Sequence, residues 1–228
     1  MGDPIVVFSA TDIAEALELL ADNTPGYISQ RELMAAYKLV LPASVGIDVI
    51  ESCVAGLRND LGLPAGKGNV LVTDFIAKME QYKASHKNKF PGDPGIKAPA
   101  VKKRFPDETY RALGGLITIQ VRISAAEIAQ AIDWSCAANP GQISQYELRR
   151  LYAKILPPSA GIPVVDKCIE ALRRDLGLPT DTNQIAMSTF ESYLNAYKQR
   201  TGAFPGDIGL KALAIDDRYE NYDRPCQP

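Results

Sequence analysis

The sequence predicts an all-α protein made of two tandem homologous domains. Each domain has two helix-loop-helix units, with at most short strand pairing between the loops. The first observation behind this is a duplication at an offset of about 115 residues, which aligns residues 26–33 with 141–148 and residues 57–64 with 172–179. The second is a set of serine–acid capping boxes at equivalent places in both copies, each followed by apolar residues at helical spacing.

Each copy opens with a predicted helix start. Ser9 and Ser124 are each followed three residues later by an acid, Asp12 and Glu127, which is the pattern of a capping box. A Pro-Gly turn ends this first helix in both copies. A second capping box then opens the second helix, formed by Ser29 with Glu32 in the first copy and by Ser144 with Glu147 in the second.

Three further helices are predicted in each copy. The third runs over residues 46–62 and 161–177, where the last glycine suits a C-terminal cap. The fourth begins near residues 73 and 188, and a Phe-Pro-Gly-Asp turn then precedes a short fifth helix. Residues 116–121 are interpreted either as a short strand or as the entry to the second copy.

The repeat also predicts the domain boundaries. Residues 1–105 form the first helical domain, 106–120 a linker, 121–219 the second helical domain and 220–228 a tail. Each domain then has roughly 100 residues, a size that can bury its own core.

Composition indicates an ordinary water-soluble protein. Among 228 residues, 46% are hydrophobic and 23% charged, and the formal net charge is −2, so no global field attracts nucleic acid or anionic membrane. No apolar run approaches the roughly 20 residues that a membrane span needs, which predicts no membrane insertion. The start of the chain lacks the features of a signal peptide, so a cytoplasmic location is expected; the alternative is a secreted chain whose leader has been removed.

The four cysteines are interpreted as structural thiols rather than as a disulfide framework. Cys53 and Cys168 occupy equivalent positions inside predicted helices, which indicates buried, reduced side chains. Together with Cys136 and Cys226 they fit no zinc-binding spacing.

The pattern Gly-x-Ile-x-x-x-Glu-Leu, flanked by these helices, resembles an EF-hand. The turn glycine, the paired hydrophobe and the final acid of a calcium loop correspond to Gly26, Ile28 and Glu32, and to Gly141, Ile143 and Glu147 in the second copy. Looser matches at residues 68–74 and 185–189 give each copy a second unit. The resemblance therefore implies two EF-hand pairs.

The calcium ligands of that family are missing from these loops. A calcium loop takes side-chain oxygens at its first, third and fifth positions. Those positions hold Ala21, Asn23 and Pro25 in the first copy, and Cys136, Ala138 and Pro140 in the second. We therefore expect degenerate loops with no metal and no cofactor, in which Glu32 and Glu147 close capping boxes.

The latter half of each copy carries a second resemblance. The spacing is similar to that of the three-helix peptidoglycan-binding module of cell-wall hydrolases, as seen in Leu176-Gly177-Leu178, Thr189, Tyr197-Lys198, Gly202, Phe204, Gly206 and Gly209. Lys198 stands where that family usually has Gln. This resemblance implies binding to cell-wall glycan.

The sequence predicts no catalytic site. His86 is the only histidine and lies among lysines, where it is expected to be solvated. Ser-His-Asp and Cys-His arrangements would both depend on this one residue. Neither a Gly-x-Gly-x-x-Gly motif nor a P-loop occurs.

Uneven charge and a few aromatic residues indicate where a partner could bind. The predicted partner-binding residues are Trp134, Lys87, Lys89, Lys102, Lys103, Arg104, Tyr219 and Tyr222. One interpretation is a solvated basic segment and a tail that partly packs on the body. The other is that the basic segment docks an acidic partner, or that the acidic tail folds over it and is displaced by one. The basic run has no interleaved aromatics, which argues against nucleic-acid binding.

The function predicted from these features is non-catalytic protein interaction. A scaffold of two degenerate EF-hand-like domains would bind a protein or peptide, an acidic one under the second interpretation, through grooves between helices. Two alternatives stay open: a peptidoglycan-binding protein, and a viral or phage protein that is structural or interacts with the host. The partner and the oligomeric state are not indicated by the sequence.

Overall fold

The structure is a computed structural model that describes residues 7–21, 24–104, 109–111, 118–120, 123–134, 140–179 and 183–220. The side chains of Trp134 and of residues 109–111, 118–120 and 215–220 lie outside this description, as do Cys136, Tyr222 and Cys226. We call residues 7–104 the first copy and residues 123–220 the second copy.

The first copy consists of five helices and one two-stranded ladder among its described residues. The elements are α1 (Ala10–Glu18), β1 (Tyr27–Ile28), α2 (Gln30–Val40), α3 (Ile47–Asp60), β2 (Val70–Leu71), α4 (Val72–Ser85) and α5 (Asp93–Arg104). This order repeats one pattern twice, helix then strand then helix, before the closing helix α5. Helix α5 has 12 residues, so it is longer than the short fifth helix expected from the sequence.

The second copy repeats the same order. A hairpin of β3 (Thr109–Arg111) and β4 (Thr118–Gln120) stands between the copies, where the sequence predicted a linker. The elements that follow are α6 (Ala125–Trp134), β5 (Gln142–Ser144), α7 (Gln145–Ile155), a 3₁₀ turn (Pro158–Ala160), α8 (Ile162–Leu176), β6 (Gln184–Ala186), α9 (Met187–Thr201) and α10 (Asp207–Glu220). The prediction of an all-α protein is therefore confirmed.

Short antiparallel ladders join the two loops of each copy. Ile28 pairs with Val70 in the first copy, and Ile143 pairs with Ile185 in the second. Ile28 and Ile143 are buried, so each ladder places an apolar side chain under the helices. The expected strand pairing between loops is therefore present, and it is short.

The predicted helix ends are largely confirmed. Ser9, Ser29 and Ser144 are N-caps, and each forms the reciprocal capping box with an acid three residues later. Gly177 ends α8 in the left-handed conformation, with φ of 72°, which a residue without Cβ adopts at low cost.

The two copies pack against each other through reciprocal contacts. The backbone N–H of Ser44 donates to Asp175 over 3.3 Å, and that of Ser159 donates to Asp60 over 3.2 Å. Ser44 and Asp60 in the first copy are equivalent to Ser159 and Asp175 in the second, so each contact is the counterpart of the other. This is the arrangement expected about a pseudo-two-fold axis. The buried apolar side chains form one cluster that spans both copies.

Glycines allow α5 and α10 to approach the opposite copy closely. A Cβ atom added to Gly95 in α5 would overlap the carbonyl oxygen of Ile155 at the end of α7. A Cβ atom added to Gly209 in α10 would lie 2.7 Å from the carbonyl oxygen of Val40 at the end of α2. The Phe-Pro-Gly-Asp segments therefore do more than turn the chain, because each brings the helix after it onto the other copy.

Two equivalent cysteines meet where α3 packs on α8. Cys53 and Cys168 are free thiols with 0% exposure, as the sequence predicted. A hydrogen bond with Cys53, together with burial, raises the pKa of Cys168 well above its ordinary value. The neutral thiols thus form part of the core between the copies.

Buried tyrosines lie next to these thiols, and they predict a loss of stability at alkaline pH. Burial, followed by nearby Cys168, raises the pKa of Tyr152 well above 10, and Tyr37 behaves likewise beside Cys53. The native state therefore holds a proton that the unfolded chain releases near pH 10. This contribution is complete below about pH 10 and is lost as the pH rises further, by at most about 1.4 kcal/mol per pH unit for each tyrosine.

Urea unfolding measured between about pH 9 and 11.5 tests this expectation. The variant Tyr152→Phe should reduce the fall in unfolding free energy over this range. The matched control is Tyr146→Phe, whose side chain is 55% exposed and which should leave the slope unchanged. Equal slopes for Tyr152→Phe and the unmodified chain would refute it.

Candidate functional site

The structure distributes the predicted partner-binding residues over separate helix ends. Lys87 and Lys89 are exposed just beyond the end of α4. Lys102, Lys103 and Arg104 are exposed in the last turn of α5. The structure therefore presents these cations as two groups.

Part of the basic end of α5 is engaged within the chain. Lys103 forms an ion pair with Glu15 of α1 at 3.0 Å. Arg104 lies 3.8 Å from Asp12, and its guanidinium lies 4.9 Å from the ring centre of Phe8. These contacts hold α5 against α1, a role that charge counting could not distinguish from partner binding.

The side chains of the predicted aromatic partner-binding residues are not among those that the structure describes. Trp134 is the last residue of α6 and Tyr219 lies in α10, but their side chains are outside the described part of the chain, as is Tyr222. His86 is exposed and stacks on Tyr82, with ring centres 3.7 Å apart. Its Nδ1 lies 2.8 Å from the carbonyl oxygen of Tyr82, so the ring folds back on α4.

In the loops that resemble EF-hand loops, carboxylate side chains accept hydrogen bonds from the loop backbone. Glu32 and Glu147 have 0% and 2% exposure, and each accepts hydrogen bonds from the backbone and hydroxyl of its capping serine. The preceding helix supplies a second carboxylate, which accepts from the turn glycine. These bonds join Gly26 N to Glu18 over 2.9 Å and Gly141 N to Asp133 over 3.0 Å.

The described residues contain no group of three or more His, Cys, Asp or Glu side chains able to hold a metal ion. None of their helices is long and apolar enough to cross a membrane.

A cleft of about 300 Å³ opens on the first copy between the start of α2, the outer face of α3 and the loop that follows α3. Its lining residues are Gln30, Glu51, Ala55, Arg58, Asn59, Leu63, Ala65, Gly66 and Lys67. At its rim Lys67 forms a 2.7 Å ion pair with Glu51. The cleft is thus a groove between helices with both apolar and charged walls.

Arg58 is the most deeply buried charged residue of this lining. Its side chain donates from Nε to the carbonyl oxygen of Pro64 over 3.0 Å and from Nη2 to that of Gly68 over 2.9 Å. These bonds fix the path of the loop after α3. Burial lowers the pKa of the guanidinium, which nevertheless remains charged at neutral pH.

An exposed apolar pair lies close in the chain to two residues that line the cleft. Tyr27 and Leu71 pair across the β1–β2 ladder and are 38% and 43% exposed. Gln30, which lines the cleft, follows β1 by two residues, and Lys67, which also lines it, precedes β2 by three.

The second copy has a different surface at the equivalent ladder. Its corresponding pair is Gln142 and Ala186, so it lacks the apolar face formed by Tyr27 and Leu71. This difference between the copies is visible in the aligned sequence, where Tyr27 and Leu71 correspond to Gln142 and Ala186. The buried state of Arg58 could not have been found, because it depends on how the loop folds over α3.

Two glycines that contribute to the resemblance to peptidoglycan-binding modules allow close packing against α2 in this structure. Gly206 and Gly209 face the backbone of α2, and Phe204 is buried.

Comparison with models of known families, with curated proteins and with solved structures found no match to this chain.

Proposed function

We propose that the protein is a non-catalytic interaction scaffold built from two degenerate EF-hand-like copies. The first copy binds a peptide segment of a protein partner in the cleft beside Tyr27 and Leu71. One observation carries the proposal: only one of the two equivalent ladders presents an exposed aromatic–aliphatic pair, and its strands lie within a few residues of the lining of a groove between helices. Exposed apolar pairs beside a groove are typical of peptide-binding surfaces.

The local chemistry of the loops supports the EF-hand-like part of the proposal. Each copy pairs two helix-strand-helix units through a short ladder, which is the arrangement that the resemblance implies. Glu32 and Glu147 are used by capping boxes, and Glu18 and Asp133 bind the turn glycines. Hydrogen bonds thus hold the loops in shape where a calcium-binding relative would use the ion.

Selection of peptides on the full chain tests the proposal. A phage-displayed library of random linear peptides is selected on the immobilised protein, and the enriched peptides are measured by fluorescence anisotropy. The double variant Tyr27→Ser, Leu71→Ser should weaken their binding at least about tenfold, because it removes the apolar contacts at the centre of the surface.

The second copy supplies the matched control. The double variant Gln142→Ser, Ala186→Ser changes the equivalent ladder positions and should leave peptide binding within about twofold. Failure to enrich any peptide would count against the proposal, and so would equal losses in the two double variants.

A further inference from the structure

Arg58 carries a charge that no acid of the described residues compensates. The residue is 97% buried, since its exposure is 3%. Nε and Nη2 are satisfied by the carbonyl oxygens of the loop, whereas Nη1 is buried and has no hydrogen-bond partner in the described part of the chain. A buried cation without an anionic partner is costly, and a bound anion would offset that cost.

A second orphaned polar atom belongs to the same cleft. Oε1 of Gln30 is buried and also lacks a hydrogen-bond partner among the described residues. The cleft therefore offers one unsatisfied cationic donor and one unsatisfied acceptor. Ala55, Leu63 and Ala65 contribute apolar surface to the same lining. An acidic peptide residue presents the complementary groups, a carboxylate and the N–H of its own backbone.

Resting on the proposed function, we infer that this cleft binds a carboxylate group of the peptide partner. Arg58 forms the cationic floor, Lys67 lies at the rim, and Gln30 accepts the N–H of the bound residue. A carboxylate suits the site better than a bulkier anion, because only Nη1 of Arg58 is left without a partner and the cleft is near the lower limit of ligand pockets, about 300 Å³.

The second copy indicates why only one such site is expected. Glu170 occupies the position equivalent to Ala55 and is exposed on α8. Thr182 replaces Lys67 in the aligned sequence. The equivalent surface thus gains an acid and loses a cation, which disfavours an anionic ligand.

Small probes test the carboxylate chemistry without a selected peptide. The full chain, labelled with ¹⁵N, is titrated with N-acetyl-aspartate N-methylamide and followed by NMR at the amides of residues 65–68 and at Arg58 Nε–H. N-acetyl-asparagine N-methylamide is the uncharged control. N-acetylglycine, with a terminal carboxylate, separates recognition of a chain end from recognition of a side chain. We expect saturable, millimolar binding of at least one carboxylate probe and none of the asparagine probe.

A variant taken from the second copy tests the location. Ala55 is exposed on α3, so Ala55→Glu places an acid in the cleft without disturbing the core. It should weaken probe binding at least about tenfold more than the isosteric Ala55→Gln does, because both fill the same space and only the acid adds repulsion. Arg58 itself is a poor choice for replacement, because it also holds the loop.

The outcomes separate this inference from the proposed function. Equal binding of the aspartate and asparagine probes, or unchanged binding of the carboxylate probes by Ala55→Glu, would overturn the carboxylate site. Selected peptides that bind the unmodified chain and Ala55→Glu equally would leave the interaction surface standing without this anchor. Carboxylate probes that bind while no peptide is ever enriched would support the anion site and remove the peptide-binding proposal.

Discussion

Replacing Gly95 by alanine should lower the free energy of unfolding by about 3 kcal/mol or more. The new Cβ atom would overlap the carbonyl oxygen of Ile155, and this neighbour is backbone at the end of a packed helix. Since Gly95 does not adopt a positive φ, the penalty comes from the close approach of α5 to α7. Urea denaturation followed by circular dichroism measures the loss.

A glycine with free space around it provides the control. Gly68 has no atom within 4 Å of an added Cβ and no positive φ, so Gly68→Ala should change stability by less than about 0.5 kcal/mol. The reciprocal variant Gly209→Ala should resemble Gly95→Ala, because its Cβ would lie 2.7 Å from the carbonyl oxygen of Val40. Similar small losses at Gly95 and Gly68 would mean that the copies do not pack as described.

Replacing Glu32 or Glu147 by alanine should each destabilise the protein by about 2 to 3 kcal/mol. Both carboxylates are almost wholly buried and accept charge-assisted hydrogen bonds from a capping serine. Their removal leaves the partly buried N–H and hydroxyl of that serine without an acceptor, which costs more than the loss of an exposed cap. Thermal and urea unfolding of each single variant give the two values independently.

The first helix contains the same motif in an exposed setting. Asp12 closes the capping box of Ser9, and its side chain is 38% exposed. Water can replace the lost acceptor there, so Asp12→Ala should cost only about 1 kcal/mol or less. Comparable losses for Asp12→Ala and Glu32→Ala would contradict the claim that burial sets the cost.

Local features were predictable from the sequence because their causes act over a few residues. The capping boxes at Ser9, Ser29 and Ser144 each satisfy helix N–H groups within three residues. The glycine cap at Gly177 depends only on its own backbone conformation. Apolar spacing predicted the helix faces for the same reason, and the duplication made each prediction twice.

The candidate site was much harder to predict from the sequence. In the sequence, Lys103 and Arg104 are predicted to bind a partner because of their charge. In the structure they contact Glu15 and Asp12, which lie in a distant part of the chain. In the sequence, nothing distinguishes Arg58 from other charged residues of a helix. Its place in the candidate site depends on the loop that buries it. Charge in a sequence does not reveal which cations are neutralised by the fold.

The sequence by itself determined a mostly helical chain with two similar copies, their helix ends and buried thiols at equivalent positions. Tertiary structure alone decided that Cys53 meets Cys168, that Gly95 and Gly209 bring helices onto the opposite copy, and that a loop folds over Arg58 beside the cleft of the first copy. The physical reason is the range of the interactions. Helix capping and periodicity arise between neighbouring residues, whereas the contacts between the copies and the burial of a charge arise only when remote segments pack together.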